Sequence, residues 1–116
     1  MDVVASYYKR KACYYIFGRF PNVTGKKVEN EIKKWLDKNG FYYIKTVGGS
    51  VPAGTPDIIA CVNGFFIGIE VKRPKGGKVS ELQKFKIRQI KNSGGYALHS
   101  NSLEGVVNYL QRHNII

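Results

Sequence analysis

Three residues near the middle of the chain, Asp57, Glu70 and Lys72, have the types and spacing needed for phosphate-ester chemistry. Asp57 opens the apolar run DIIACV, whereas Glu70 and Lys72 lie at the end of the apolar run FFIGIEVK. The dipeptide Asn63-Gly64 separates the two runs, and Asn-Gly in this position predicts a β-hairpin closed by a type I′ turn. Both carboxylates therefore belong to one predicted hairpin.

A two-residue turn also fixes the register of the hairpin, because it pairs Val62 with Phe65 and every further pair outward. Asp57 then falls opposite Glu70, and Lys72 lies on the same face, since side chains alternate along a strand. Directly opposed residues of an antiparallel pair have Cβ atoms about 5 Å apart. The sequence thus predicts two carboxylates and one ammonium group together at one end of the hairpin.

Two opposed carboxylates destabilise a sheet unless a positive charge lies between them. Mg²⁺ would supply that charge, because it prefers oxygen ligands and is often held by one or two carboxylates with waters and phosphate oxygens. The alternative is an ion-pair cluster in which Lys72 and Arg73 neutralise both acids and nothing binds. The chain has only 8 Asp and Glu against 19 Lys and Arg, and two of these acids lie in its most apolar segment, which favours the metal site.

A third carboxylate can come from an amphipathic helix that begins near Gly25 and ends at Asn39-Gly40. Its apolar stripe consists of Val28, Ile32, Trp35 and Leu36. Glu29 and Glu31 flank this stripe on opposite sides, each about 80° from its centre. Either could lean toward the hairpin, and the spacing alone does not choose between them.

The remaining patterns complete an α/β order of elements: helix, three strands, helix, strand, helix. We predict strands over 41–47, 57–62, 65–72 and 96–100, a helix from Ser80 to about Asn92, and a last helix from Ser102 with Leu103, Val106, Val107 and Leu110 on one face. A Gly/Pro-rich loop joins the first strand to the hairpin. Residues 1–24 form a basic, aromatic extension, and 25–116 form a single domain.

The composition points to a polyanionic partner. The net charge is +11 over 116 residues, and nucleic acid is the commonest partner of so basic a small protein, although a basic surface without a specific partner is the alternative. The aromatic residues of 1–24 could stack on bases or pack on the core. A hydrophobic content of 43% excludes wholesale disorder.

Other classes of protein are disfavoured by the same sequence. Cys13 and Cys61 match no zinc spacing and are expected to be reduced thiols, whereas His99 and His113 are isolated, which disfavours a zinc or redox protein. His99, in a short predicted strand, is expected to be structural. No stretch is typical of a membrane span or a signal peptide, so we expect a cytoplasmic protein without membrane contact.

Pro56-Asp57 followed by Glu70-Val71-Lys72, downstream of a Glu-bearing helix, resembles the motif of the PD-(D/E)XK nucleases. Longer strings, VENEIKKWLDKNGFYYIKTVGG, GTPDIIACVNGFFIGIEVKRPKGG and SELQKFKIRQIKNSGG, are similar to the VRR-NUC family in its short, stand-alone form of the kind carried by phages. The resemblance covers about residues 25–105. It implies a restriction-endonuclease-like αβββαβ core, with a mixed sheet flanked by helices.

The resemblance also implies roles for individual residues. Asp57, Glu70 and the carbonyl of Val71 would be ligands of Mg²⁺ or Mn²⁺, and Lys72 would contact the attacking water or the scissile phosphate. Glu29 is the helix glutamate that best matches the family, and it would hold a metal-bound water or a second metal. Many family members have another Glu about four residues earlier, where this chain has Gly25.

Gln83 matches a glutamine that usually follows the last motif strand, which implies a catalytic role. The run Ser80-Glu81-Leu82-Gln83 is also a capping box, in which Gln83 would bond the Ser80 amide, and both roles stay open.

The function implied is that of a metal-dependent DNA endonuclease without a small-molecule cofactor. Since 116 residues leave no room for a base-reading module, we expect selection of DNA structure, such as a Holliday junction or other branch, rather than of sequence. Family members of this size act as homodimers. We expect a homodimer here too, because the aromatic residues of 7–20 and the apolar face of the last helix, Leu103 to Leu110, exceed what one small core needs. If the protein is phage-encoded, its expected location is the host-cell cytoplasm. The alternative function is a non-catalytic nucleic-acid-binding domain on a nuclease scaffold.

Overall fold

The computed structural model describes residues 25–116, which form a four-stranded mixed sheet flanked by three helices. In chain order the elements are α1 (Gly25–Lys38), β1 (Tyr42–Lys45), β2 (Ile58–Val62), β3 (Phe65–Val71), α2 (Glu81–Asn92), β4 (Tyr96–Ser100) and α3 (Leu103–Arg112). The strands lie in the order β1-β2-β3-β4, antiparallel except for the parallel pair β3–β4. The predicted α/β class and αβββαβ order are confirmed. The predicted roles of residues 1–24 lie outside the described residues.

The main core lies between one face of the sheet and helices α1 and α3. The predicted stripe of α1 is buried there together with the inward side chains of the strands and of α3: Val28, Ile32, Trp35, Leu36, Ile58, Ala60, Val62, Ile67, Ile69, Leu98, Val106 and Leu110. Among the helices within residues 25–116, none has the length and apolar character needed to cross a bilayer.

The β2–β3 hairpin has the predicted register. Val62 pairs with Phe65, and the ladder continues outward to Ile58 and Ile69. Both turn residues, Asn63 and Gly64, have positive φ angles of 53° and 88°, as a type I′ turn requires. The next position outward therefore sets Asp57 beside Glu70.

The predicted first strand, 41–47, extends too far at its C-terminal end. It ends at Lys45, and beyond it the Thr46 backbone N–H still donates to the carbonyl oxygen of Asp57 at 2.8 Å, while the Thr46 hydroxyl donates to that of Pro56 at 2.7 Å. The loop that follows packs on α2, where a Cβ on Gly54 would lie 2.7 Å from Leu82 Cγ. A glycine is required at 54 both for this approach and for its φ of 84°.

Helix α2 covers the second face of the sheet over β3 and β4. It approaches closely at Gly68, where a Cβ would lie 3.0 Å from Ile90 and 3.1 Å from Pro56. The missing side chain at 68 therefore lets the helix and the residue before Asp57 pack on the same point of β3.

The apolar face of α3 is used within the chain. Val106 and Leu110 are fully buried, and Leu103 and Val107 pack against the core. The expectation that this face exceeds the needs of one core is wrong, because α1 and the sheet together leave a groove that α3 fills.

Candidate active site

Asp57 and Glu70 meet at the open end of the β2–β3 hairpin. Asp57 lies directly before β2, and its Oδ2 accepts a hydrogen bond from the Val71 amide at 2.9 Å. Glu70 is only 3% exposed, whereas the side chain of Asp57 is 31% exposed. The carboxylate of Glu70 is thus buried, whereas that of Asp57 faces the solvent. A cation could therefore reach the two carboxylates from the side of Asp57.

The buried carboxyl of Glu70 is costly to ionise. Desolvation by burial and the nearby Asp57 carboxylate raise its pKa to about 7, although Lys72 acts in the opposite direction. A carboxyl group that keeps a raised pKa beside a second carboxylate is typical of a functional site. A cation bound between the two acids would favour the ionised form of both.

Lys72 and Gln83 complete a network around Glu70. The Gln83 Nε2 group donates to Glu70 Oε2 at 2.7 Å, and Lys72 Nζ donates to Gln83 Oε1 at 2.9 Å. Lys72 Nζ also lies 3.5 Å from Glu70 Oε2. The amide therefore orients the carboxylate and the ammonium group together.

Gln83 also closes the predicted capping box at the start of α2. Its side-chain Oε1 accepts a hydrogen bond from the backbone N–H of Ser80 at 2.9 Å. In return, the Ser80 hydroxyl accepts one from the backbone N–H of Gln83 at 3.1 Å. The two roles that the sequence left open for Gln83 are structurally compatible, since one side chain makes the cap and both contacts at the site.

Two variants should separate these roles. Ser80→Ala removes the cap and should cost about 1 kcal/mol of unfolding free energy, with cleavage within a few-fold of the parental rate. Gln83→Glu keeps a capping-box residue but loses the N–H donor to Glu70, so cleavage should fall about 10- to 100-fold. Thermal unfolding and cleavage rates measure both, and parental cleavage by Gln83→Glu would show that the Glu70 contact is dispensable.

Glu29 is the helix glutamate on the site side of α1, being 8% exposed, whereas Glu31 is half-buried. Its Oε1 lies 3.2 Å from Lys45 Nζ, and its Oε2 lies 3.3 Å from Lys33 Nζ. Lys45 Nζ also lies 3.8 Å from Asp57 Oδ1. Glu29 is thus linked to Asp57 through a lysine.

Lys45 and Thr46 are site residues that the sequence reasoning missed. Thr46 fixes the backbone of Asp57 through its amide and hydroxyl, and Lys45 places a positive charge between two acids. The available signal was their place at the end of the first strand. It could be used only once the β1–β2 register, Lys45 with Ile58, was known.

The donor set fits a magnesium-like cation. Glu70 Oε1 is buried and accepts no hydrogen bond within residues 25–116, so it is available as a ligand. The same residues contain no group of three His, Cys, Asp or Glu side chains that could together hold a metal, and Glu29 stays a predicted holder of a metal-bound water or a second metal. Two carboxylates completed by backbone and water oxygens suit Mg²⁺. The carbonyl of Val71 stays a predicted ligand.

The sequence matches the model of a known protein family, described as archaeal Holliday junction resolvase (Hjc), over residues 21–111. The chain belongs to the archaeal Holliday junction resolvase family. The match includes every element from α1 to β4 and all the predicted site residues. The resolvase family is of the PD-(D/E)XK type, so the chain is classed as a nuclease.

Two solved structures have a fold similar to that of this chain. One described as "VRR_NUC domain protein" is 18% identical, with a TM-score of 0.64 over 80% of this chain and 89% of that one. Another, described as "VRR_NUC domain", is 19% identical, with a TM-score of 0.64 over 79% and 98% of the two chains. The predicted resemblance to VRR-NUC domains is confirmed at the level of the fold. A comparison with curated proteins gives no significant match.

Proposed function

We propose that this protein is a Mg²⁺- or Mn²⁺-dependent endonuclease that cuts branched DNA. The observation that carries the proposal is the buried, unbonded oxygen of Glu70 beside Asp57, with Lys72 and Gln83 fixed on the other oxygen. Glu29 Oε2 is likewise buried without a hydrogen bond, but it lies 3.3 Å from Lys33 Nζ in an ion pair. We assign the nuclease domain to 25–116 and treat 1–24 as an extension.

The residues of the site have different roles in the proposed cleavage of the phosphodiester. Asp57 and Glu70 would hold the cation, which when bound supplies Lewis-acid activation of water and offsets charge on the phosphate. Lys72, whose side chain is 17% exposed, is placed to add a positive charge to the pentavalent transition state or to orient the attacking water. Gln83 orients the side chains of Lys72 and Glu70 through its two hydrogen bonds. Lys45 and Thr46 fix the position of Asp57.

The deciding experiment incubates the full chain with Mg²⁺ or Mn²⁺ and matched linear, flapped, forked and four-way DNA of shared sequence. Cleavage of the four-way or forked substrate in preference to the linear one supports the proposal. Tight binding of these DNAs without cleavage, under both metals, would instead establish the alternative of a non-catalytic nucleic-acid-binding domain.

We further propose a homodimer, in which the second face of the sheet carries the contact. Tyr42, Cys61 and Phe66 are direct cross-strand partners on β1, β2 and β3, and all three are exposed on this face, which α2 covers only in part. Ile44 extends this apolar row and is 48% exposed. Because these four side chains carry no charge, two such faces can meet despite the net charge of +11.

The dimer predicts a specific change in mass. Light scattering at micromolar concentration should give about 26 kDa, twice the mass of one chain in a closed two-fold assembly. The double variant Tyr42→Lys/Ile44→Lys should give the monomer mass of 13.1 kDa, because dimerisation would have to bury the new positive charges in the contact. Ile116→Lys, which changes another exposed apolar residue at the C-terminus, should leave the dimer intact. A parental monomer would refute the assembly.

A further inference from the structure

A cavity of about 650 Å³ opens beside the metal site and has no role in the chemistry described above. Its walls are the end of β3, the loop 74–79, α2 and the end of β4. Lys72 belongs to both places: its ammonium group contacts Gln83 at the metal site, and it also lines the cavity. The cavity therefore begins where the scissile phosphate would lie.

The lining of the cavity is basic. It includes Lys72, Arg73, Lys78, Lys84 and His99, and none of its lining residues is acidic. Lys84 is paired with Glu81 at 3.1 Å, but both partners are more than half exposed, which makes that pair weak. Within residues 25–116, the side chains of Arg73, Lys78 and His99 form no ion pair or hydrogen bond.

His99 is placed by the register of the sheet. It is the partner of Glu70 in the parallel β3–β4 pair, so both side chains lie on the same face, on strands about 4.8 Å apart. Unlike Glu70 it is exposed. An imidazole donates a hydrogen bond in either protonation state, which suits an anionic oxygen. The short strand predicts a structural histidine at 99, but the side chain is exposed.

The loop 74–79 is folded back as a wall of the cavity. A Cβ on Gly77 would lie 2.9 Å from both the amide nitrogen and the carbonyl oxygen of Arg73. Gly76 has a φ of 73°, which glycine adopts readily. These two glycines bring Lys78 back toward the strand end that carries Lys72 and Arg73, so the cations face a common space.

We propose that this cavity binds the phosphate next to the scissile one on the cut DNA strand, through Arg73, Lys78 and His99. The proposal rests on the proposed nuclease function, and it names a second phosphate site within it. A phosphodiester fits because the cations are clustered, unpaired and adjacent to the metal site, and Arg and Lys are the usual phosphate ligands. Holding this phosphate fixes which bond of the strand reaches Glu70 and Asp57.

The test couples a change in the protein with a change in the DNA. Four-way DNA is prepared with one neutral methylphosphonate, placed immediately 5′ or immediately 3′ of the cleavage site. With the parental protein, one of the two positions should slow cleavage about tenfold, because a charge-assisted contact is lost. With Lys78→Ala or His99→Ala, the same methylphosphonate should change the rate less than about twofold, since coupled changes are not additive.

Lys75→Ala is the matched control. Lys75 is an exposed lysine of the same loop, but it does not line the cavity, so the methylphosphonate should keep its full effect in this variant. If the effects of methylphosphonate and Lys78→Ala simply multiply, the phosphate site is refuted. If only the addition of a terminal 5′-phosphate to the substrate changes the rate, the cavity binds strand ends and the assignment to a continuous strand is overturned.

The outcome is distinguishable from a failure of the nuclease function. If the parental protein cuts no DNA with Mg²⁺ or Mn²⁺, the proposed function fails, but the same pairs of protein and DNA can be compared by affinity in EDTA. Coupling between the methylphosphonate and Lys78→Ala or His99→Ala in binding would still support the phosphate site, and its absence would refute it.

Discussion

Replacing Glu70 by Gln should reduce cleavage by at least about 10³-fold, because a bound cation contributes several kcal/mol to the stabilisation of the transition state. The amide has the shape of the carboxylate but cannot supply a negatively charged ligand. Asp57→Asn should have a similar effect, and so should Asp57→Ala and Glu70→Ala. Cleavage of four-way DNA under single-turnover conditions measures each loss.

Glu70→Gln should not impair folding, which makes the loss of cleavage interpretable. Burial raises the pKa of Glu70, so the ionised carboxylate is costly in the metal-free fold, and the neutral amide avoids that cost. Thermal unfolding without metal should therefore show parental or greater stability. Addition of Mg²⁺ should raise the unfolding temperature of the parental protein more than that of the variant.

DNA affinity gives the second readout of the same variants. Removing a negative charge from a phosphate-binding surface should leave binding unchanged or make it tighter. Glu104→Gln, an exposed carboxylate on α3, serves as the control and should retain parental cleavage. Cleavage at the parental rate by Glu70→Gln or Glu70→Ala would overturn the nuclease assignment.

The hairpin shows why part of this site could be predicted from sequence. Asn63-Gly64 specifies both the turn and the register, so the meeting of Asp57 and Glu70 depends on local residues alone. The capping box at Ser80 and Gln83 is equally local. Where four consecutive residues or one tight turn determine the geometry, the sequence is sufficient.

Lys45 shows where local reasoning ends. The loop between Lys45 and Ile58 is long, and no turn motif fixes the pairing of β1 with β2, so the contact of Lys45 with Glu29 and Asp57 was not foreseen. The choice of Glu29 over Glu31 as the helix glutamate nearest the site likewise depends on how α1 packs on the sheet.

The apolar surfaces illustrate the same limit. The periodicity of α3 predicted an apolar face, but not whether that face is buried within the chain or left exposed. It is buried, and the exposed apolar row lies instead on the opposite face of the sheet, at Tyr42, Ile44 and Phe66. Which face each helix covers is decided by packing between distant segments, and strand patterns do not carry that information.

The affinity of the chain for DNA should fall steeply with salt, by roughly 10³-fold or more between 50 and 200 mM if six or more phosphates are neutralised. The reason is the net charge of +11, together with basic clusters at 9–11, 26–27, 33–34 and 84–91. The first cluster lies outside the described residues. Fluorescence anisotropy of labelled DNA in EDTA measures affinity separately from cleavage.

Single cations should contribute to this slope individually. Arg88 is an exposed residue of α2, and Arg88→Ala should lower the slope of log affinity against log salt by about 0.9 if its guanidinium group contacts a phosphate. The slope should be the same for DNAs of different sequence, because contacts with phosphates carry no direct sequence information. Selection among DNAs would then depend on how the branch presents its strands to Asp57, Glu70 and Lys72. A flat salt dependence would contradict binding through phosphates and with it the interpretation of the chain's charge.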